Sequence, residues 1–258
     1  MINFMSTRTL YKIYSSGYEK VIALNNVSVD IYENEVLGII GESGSGKSTL
    51  ARLFMGLEEP DMGQVHYRSK VLDYKNKPQM RRMKNDVQMV FQDAAYALNP
   101  IKRIDKMMYE TIKLHHKKSK AEAIYMIERI LSDVGLKGSV LGKYPGEFSG
   151  GERQRLNIAK ALLVEPKLLI CDEPVSALDI SVQAKILNLL MAIKDEYQLT
   201  YLFIAHSLDV IHHVSDRIGV MKDGQLVELD TCDKVIHEPQ HGYTKHLLSH
   251  RTVAKSVL

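Results

Sequence analysis

The feature that most constrains this 258-residue chain is an apolar stretch that ends in a glycine-rich turn. Val36–Ile40 is apolar throughout, which is typical of a strand buried on both faces of a parallel sheet. Gly41–Ser48 follows directly and matches the pattern G-x-x-x-x-G-K-[ST]. Ser48–Leu57 then has the pattern of a helix. A buried strand, a glycine-rich turn and a helix in this order predict a phosphate loop, the name used below for Gly41–Ser48.

Each residue type in the phosphate loop suits the binding of phosphate. Glycines allow successive backbone N–H groups to turn toward phosphate oxygens without a side chain in the way. The helix that begins near Lys47 adds the positive end of its dipole. We expect the Lys47 ammonium group to reach the β- and γ-phosphates of a nucleotide and the Ser48 hydroxyl to bind Mg²⁺. The predicted nucleotide contacts are Gly41, Glu42, Ser43, Gly44, Ser45, Gly46, Lys47, Ser48 and Thr49.

A second apolar run, Leu168–Cys171, ends in two neighbouring carboxylates, Asp172 and Glu173. Because ligands of open parallel sheets bind beyond the carboxyl ends of the strands, we expect both carboxylates near the phosphate loop. Asp172 is the candidate for Mg²⁺, and Glu173 is the candidate for polarising a water that attacks the γ-phosphate. Taken alone, the same pattern also fits a strand that ends in a solvated acidic turn.

The rest of the chain predicts an α/β fold with a mainly parallel sheet, because strand patterns alternate with helical ones. Further strands are expected at Gln88–Gln92, Leu168–Asp172, Thr200–Ala205, Ile218–Met221 and Leu226–Leu229, the last two around a turn at Lys222–Gly224. Apolar and polar positions alternate in the first part of the chain, which predicts an antiparallel β region there. The alternating stretches are Thr9–Tyr14, Val21–Leu24 and Val27–Ile31.

A helical region interrupts this α/β pattern. From about Lys102 to Val164 no strand is expected, and Ala121–Gly135 carries an apolar stripe at helical spacing. We therefore predict one domain over residues 1–258, with a nucleotide-binding core at residues 1–92 and 165–258 and a helical subdomain at residues 93–164.

Composition argues against several classes of protein. The net charge is only +3, from 34 basic and 31 acidic residues, which disfavours a dedicated nucleic-acid binder. No apolar run reaches the roughly 18 residues of a membrane span. Two cysteines are too few for a disulfide framework or a cysteine metal cluster. We expect no nucleic-acid partner.

Four further motifs, together with the two described above, resemble the ATPases of ABC transporters. Ser149–Glu152, called the signature segment below, is close to the L-S-G-G-Q motif of that family. Gln92 resembles the residue that names the Q-loop, Asp179 that of the D-loop, and His206 the switch histidine. The resemblance extends from about Leu10 to Leu248. It implies the fold of a P-loop ATPase that binds and hydrolyses ATP with Mg²⁺.

The resemblance also implies a role for each motif. Ser149, Gly150, Gly151, Glu152 and Asp179 would contact the ATP held by a second ABC ATPase subunit, so that the nucleotide joins the two subunits. Gln92 would contact Mg²⁺ or the attacking water. His206 would hydrogen-bond the γ-phosphate and hold Glu173 in place.

An aromatic residue of the N-terminal β region would stack on adenine. Tyr11, Tyr14 and Tyr18 are the candidates. We favour Tyr14 because it follows the first predicted strand.

Two segments resemble the oligopeptide, dipeptide and nickel importers in particular. Gln92–Pro100 is similar to their F-Q-D-P-x-x-S-L-N-P motif, and His237–Leu248 to their N-P-Q-H-P-Y-T-x-x-L-L ending, with Ala94 and Gly242 in place of prolines. This implies a peripheral protein on the cytoplasmic face of the cell membrane. Its partners would be transmembrane permease subunits, a second ATPase that is the same or a different chain, and, indirectly, an extracytoplasmic substrate-binding protein. Peptide and nickel cargo both stay open.

Other functions fit fewer of the motifs. An ABC ATPase of DNA repair would have long coiled-coil insertions and one of translation two cassettes, and neither is present. An exporter motor would share the same motifs. A soluble P-loop kinase would leave Ser149–Glu152, Asp179 and His206 without a shared role.

Overall fold

The computed structural model describes residues 2–16, 19–91 and 97–249. The chain forms two compact units, the first made of Met1–Arg81 and Thr200–Leu258 and the second of Arg82–Leu199. Within the described residues, no helix has both the length and the apolar character needed to cross a bilayer.

The strands are β1 (Asn3–Ser16), β2 (Glu19–Tyr32), β3 (Val36–Ile40), β4 (Met62–Tyr67), β5 (Lys70–Val71), β6 (Val87–Val90), β7 (Leu168–Asp172), β8 (Thr200–Ile204), β9 (Arg217–Lys222) and β10 (Gln225–Thr231). The helices are α1 (Lys47–Phe54), α2 (Lys77–Asp86), α3 (Ile104–His115), α4 (Lys120–Asp133), α5 (Gly150–Leu162), α6 (Ile180–Tyr197), α7 (Leu208–Val214), α8 (Cys232–His237) and α9 (Gly242–Ser249). Two 3₁₀ turns lie at Gly138–Gly142 and Pro145–Glu147.

The first unit contains the predicted antiparallel β region as a sheet in the order β2-β1-β4-β5. Its strands β1 and β2 are longer than expected, because bulges such as the one between Thr7 and Leu10 shift the alternation without ending the strand. The sequence did not predict β4, because its first three residues are exposed and give no apolar alternation.

The first unit also contains β3 between β8 and β9, parallel to both, and β9 pairs antiparallel with β10. Every residue of β3 and β8 is buried, as predicted for strands covered on both faces. The predicted hairpin between β9 and β10 turns at Asp223 and Gly224, which both have positive φ.

The second unit pairs β6 with β7 in parallel and adds helices α3 to α6. Residues 102–164, all of which the structure describes, contain helices and 3₁₀ turns and no strand. Helix α4 buries Ile127, Ile130 and Leu131 of the predicted apolar stripe, whereas Ile124, which also belongs to it, is 44% exposed. Together the two units have the predicted α/β character with mostly parallel pairing of the central strands.

Candidate functional site

The phosphate loop joins β3 to α1. At Gly41 and Gly46, nearby backbone atoms leave no space for a side chain. A Cβ at Gly41 would lie 2.2 Å from the carbonyl oxygen of Met221. A Cβ at Gly46, where φ is +101°, would lie 2.4 Å from the carbonyl oxygen of Ala23. Both distances are far below van der Waals contact, so any side chain would displace the loop. At Gly44, by contrast, no atom lies within 4 Å of a Cβ position, and this open space suits a phosphate group.

The Lys47 side chain is enclosed by the phosphate loop. Its Nζ donates hydrogen bonds of 2.8 Å to the carbonyl oxygens of both Gly41 and Glu42, and one of 3.4 Å to the Ser45 hydroxyl. Lys47 is only 4% exposed. Because a buried ammonium group needs polar partners, these bonds keep its positive charge within the loop.

Two residues from the C-terminal part of the first unit contact the phosphate loop from outside. The Gly224 N–H donates to the Ser45 carbonyl oxygen at 3.2 Å. The Tyr243 hydroxyl accepts a hydrogen bond from the Glu42 N–H, also at 3.2 Å. The sequence predicted a turn at Gly224 but neither of these contacts, since they join positions far apart in the chain.

His206 and the phosphate loop follow the ends of neighbouring strands. Ile204 of β8 pairs with Ile39 of β3 in parallel, and the Ala205 N–H donates to the Ile39 carbonyl oxygen at 3.3 Å. The segments that follow parallel neighbours leave the sheet at the same edge, so the first unit places His206 and Gly41 at one edge.

Tyr14 lies near the end of β1 and is partly buried. Its hydroxyl donates a hydrogen bond to a carboxylate oxygen of Glu58, and the Lys12 ammonium group lies 5.6 Å from the centre of its ring. Burial and the bond to Glu58 raise the pKa of Tyr14, so its hydroxyl is protonated at neutral pH. Tyr11 is also in β1. Tyr18 and Gln92 lie outside the described residues.

The second unit holds the two carboxylates at the end of β7. Asp172 is the last residue of the strand, and Glu173 follows it with φ +49°. This left-handed conformation is strained for a residue with a Cβ, and such strain is concentrated at functional sites. Glu173 is 7% exposed, and its carbonyl oxygen accepts from both the hydroxyl and the N–H of Ser176. The turn therefore fixes the backbone at Glu173, a buried residue.

The signature segment begins helix α5 with a capping box. The Ser149 hydroxyl accepts from the Glu152 N–H at 3.3 Å, and a Glu152 carboxylate oxygen accepts from the Ser149 N–H at 2.9 Å. Hydrogen bonds from the Ser149 backbone and side chain hold the pKa of Glu152 below its ordinary value. From the sequence, Glu152 was expected to contact the ATP of a second subunit, and the spacing S-x-x-E could also have indicated this cap.

The signature segment also lies beside Asp179. A Cβ at Gly150 would lie 3.2 Å from Leu178, and one at Gly151 would lie 2.7 Å from Val182. Asp179 is the N-cap residue of α6, between these two neighbours. The second unit thus brings together two motifs that are distant in the sequence, and both Ser149 and Asp179 are exposed there.

A groove of about 730 Å³ lies elsewhere in the second unit, near the start of α3. It is lined by apolar and charged residues, including Leu114, Lys102, Glu110 and Lys160. Leu114, one of the lining residues, is 73% exposed. The Lys160 ammonium group donates to the Ala97 carbonyl oxygen at 2.9 Å, and burial lowers the pKa of Lys160.

The chain is similar to a family and to several proteins of known role. The model of the family described as ABC transporter matches residues 24–176. The chain is 45% identical over 228 residues to the oligopeptide transport ATP-binding protein OppF of Escherichia coli, covering 88% of this chain and 68% of that protein. The match to OppF of Streptococcus mutans is 44% over 231 residues, covering 89% and 75%. The match to the oligopeptide transport ATP-binding protein AppF of Bacillus subtilis is 43% over 230 residues, covering 89% and 70%.

Two solved structures are similar in fold. One is a dimeric, post-hydrolysis state of an ATP-binding cassette bound to ADP and Pi, with a TM-score of 0.80, 27% identity, and coverage of 89% of this chain and 99% of that one. The other is cbiO1 from Clostridium perfringens, part of the ABC transporter complex cbiONQ, with a TM-score of 0.82, 25% identity, and coverage of 99% and 96%. The predicted ATPase fold is confirmed by both.

Proposed function

This chain belongs to the ABC transporter family and is an ATP-binding, ATP-hydrolysing cassette, and from that premise we propose that it powers the import of oligopeptides. The observation that carries the proposal is the phosphate loop. It has an open space beside Gly44, an enclosed Lys47 and the start of a helix in one place. The oligopeptide cargo is supported by the relatives, whose names state oligopeptide transport.

We propose that Gly41–Thr49 bind the phosphates of ATP and that Tyr14 stacks on adenine. Backbone N–H groups and the Lys47 ammonium group would stabilise the negative charge of the phosphates. Glu173 would accept a proton from the attacking water or polarise it, and His206 would hydrogen-bond the γ-phosphate. The burial and strained backbone of Glu173 support this role, because such strain is concentrated at functional sites.

The residues proposed for Mg²⁺ suit its chemistry. Ser48 offers a hydroxyl, Asp172 a carboxylate and Gln92 an amide oxygen, and Mg²⁺ prefers such hard oxygen ligands. When bound, Mg²⁺ neutralises charge that develops on the phosphate oxygens. Ser48 is the last residue of the phosphate loop and lies in the first turn of α1.

We propose that the signature segment and Asp179 contact ATP held by a second ATPase subunit. The first N–H groups of a helix have no partner within the helix and are suited to bind an anion. Ser149 is exposed at such a helix start, which supports a role toward another chain. The solved relative with ADP and Pi is itself a dimer.

The permease is proposed to dock on the helical subdomain, residues 93–164, within a single nucleotide-binding domain of residues 1–258. The groove near α3 supports this, because it combines exposed apolar side chains with charged ones, as a docking surface does. The protein would then lie on the cytoplasmic face of the membrane, and a substrate-binding protein outside would deliver the cargo.

Reconstitution in liposomes tests the proposal. The chain would be purified with its permease, and ATP-dependent uptake of a labelled oligopeptide would be compared with uptake of nickel. We expect peptide uptake that is lost in a Lys47→Ala complex and retained in a matched Lys75→Ala complex, since Lys75 is an exposed residue outside the site. Uptake of nickel alone, or phosphate transfer to a small alcohol without the permease, would contradict the proposal.

A further inference from the structure

The C-terminal segment of the first unit reaches the phosphate loop through one side chain. Tyr243 lies in α9 and is 9% exposed. Its hydroxyl accepts the hydrogen bond from the backbone N–H of Glu42, the second residue of the phosphate loop, although the two residues are 201 positions apart. This bond joins the loop to another part of the same chain, so it differs from the contacts that we propose for ATP.

Several contacts hold Tyr243 in position. The Lys222 ammonium group lies 5.0 Å from the centre of its ring, within the range of a cation–π interaction. The Tyr243 N–H donates to Nδ1 of His241 at 3.1 Å. The Glu228 carboxylate accepts from the backbone N–H groups of Gln240 at 2.8 Å and His241 at 3.0 Å. These bonds attach the start of α9 to β10, so the ring position is set by more than one element.

The charge states of these groups support the arrangement. Burial opposes ionisation of Glu228, but the hydrogen bonds from Gln240 and His241 outweigh it and hold its pKa below the ordinary value. Burial raises the pKa of Tyr243, and the negative charges of Glu42 and Asp223 raise it further. At neutral pH the carboxylate is therefore ionised and the Tyr243 hydroxyl is protonated.

We propose that Tyr243 is a positioning residue for nucleotide binding, which holds the backbone of the phosphate loop through Glu42 so that its N–H groups are oriented for a triphosphate. A loop that is already ordered loses less conformational freedom when it binds its ligand, and the complex is tighter. The inference rests on the proposed function, since it requires the phosphate loop to bind ATP.

The test is Tyr243→Phe in the full chain, which removes the hydroxyl and keeps the ring. We expect ATP affinity to fall about 3- to 10-fold, the change that corresponds to one net hydrogen bond. The KM for ATP should rise by a similar factor with kcat unchanged, because Tyr243 acts through Glu42. The matched control is Tyr74→Phe, which removes a buried hydroxyl with no hydrogen-bond partner among the described residues. ATP affinity of the control should equal that of the wild type.

A second measurement separates positioning from a merely structural role. Because coupling is reciprocal, ATP should slow backbone amide exchange in Gly242–Ser249 of the wild type and should no longer do so in Tyr243→Phe. Equal ATP affinity in Tyr243→Phe and the wild type would overturn this inference alone. An equal loss in Tyr74→Phe would also overturn it, since the effect would then be one of stability. Failure of the wild type to bind ATP would overturn both this inference and the proposed function.

Discussion

The phosphate loop and the signature segment are both rich in glycine and both precede a helix, yet they are held in different ways. In the phosphate loop, the positions of Gly41 and Gly46 face backbone carbonyl groups from distant parts of the first unit. In the signature segment, Ser149 and Glu152 hold each other through a capping box. The glycines there face only side chains.

This difference indicates where each region finds its ligand. The phosphate loop is surrounded by its own unit and encloses Lys47, so its shape is complete within one chain. The signature segment is stable as a local helix start, and its Ser149 is exposed. Its glycines allow the helix start to pack closely against Leu178 and Val182 of the same unit.

The largest effect is expected from a substitution that leaves both regions intact. Glu173→Gln removes the negative charge that we propose polarises the attacking water, so we expect hydrolysis to slow about 100- to 10,000-fold while ATP still binds. The chain should then accumulate as an ATP-bound dimer in size-exclusion chromatography. Glu196→Gln on the exposed face of α6 is the control and should hydrolyse ATP normally. Near-normal turnover in Glu173→Gln would show that Glu173 takes no part in hydrolysis.

A pair of substitutions tests the comparison itself. Lys47→Ala removes the ammonium group that we propose donates charge-assisted hydrogen bonds to phosphate, and we expect ATP affinity of the single chain to fall about 10- to 100-fold. Ser149→Arg should leave that affinity unchanged and abolish dimerisation with ATP, because a long charged side chain would occupy the proposed interface. Titration with a fluorescent ATP analogue and light scattering measure the two quantities. A Ser149→Arg chain that dimerises with ATP would show that the signature segment does not face a second subunit.

Alanine substitutions at the glycines of the two regions should lower the free energy of unfolding by different amounts. Gly46→Ala should destabilise the chain by about 2 kcal/mol or more, because a methyl group would meet backbone at a positive φ. Gly151→Ala should cost less than about 1 kcal/mol, since the Val182 side chain can shift and alanine favours the helix. Urea denaturation gives both values. Equal decreases in the free energy of unfolding would mean that the phosphate loop and the signature segment are stabilised in the same way.

The smallest effect concerns the capping box. Glu152→Ala should lower the free energy of unfolding by about 1 kcal/mol at neutral pH. Glu152→Gln keeps an acceptor oxygen and should retain most of this contribution to stability. Because the pKa of Glu152 is lowered in the folded protein, this contribution is present above the ordinary glutamate pKa and is lost as the pH falls through the lowered value. Urea denaturation of wild type and Glu152→Ala at pH 7 and pH 3 tests this. A difference between them that is the same at both pH values would contradict it.

The sequence predicted those structural features that depend on residues close together along the chain. The phosphate loop and β7 were found because an apolar strand, a turn and a helix start leave local patterns. The contact between Tyr243 and Glu42 was not predicted, since no local pattern records which distant residue reaches a loop. The positive φ of Glu173 was also not predicted, because glutamate has no preference for that conformation. The role of the signature segment came only from the resemblance to a family, since its proposed ligand belongs to another chain.

We propose that one ATP is held by the phosphate loop of one chain and the signature segment of another. Amide hydrogen exchange of residues 149–153 in the Glu173→Gln protein, with and without ATP and Mg²⁺, tests it most directly. We expect ATP to slow exchange at Gly150 and Gly151 together with dimer formation, because the capping box of Ser149 and Glu152 does not use their N–H groups, which ATP would then hydrogen-bond and bury. Unchanged exchange at residues 149–153 while ATP protects the phosphate loop of a single chain would contradict it.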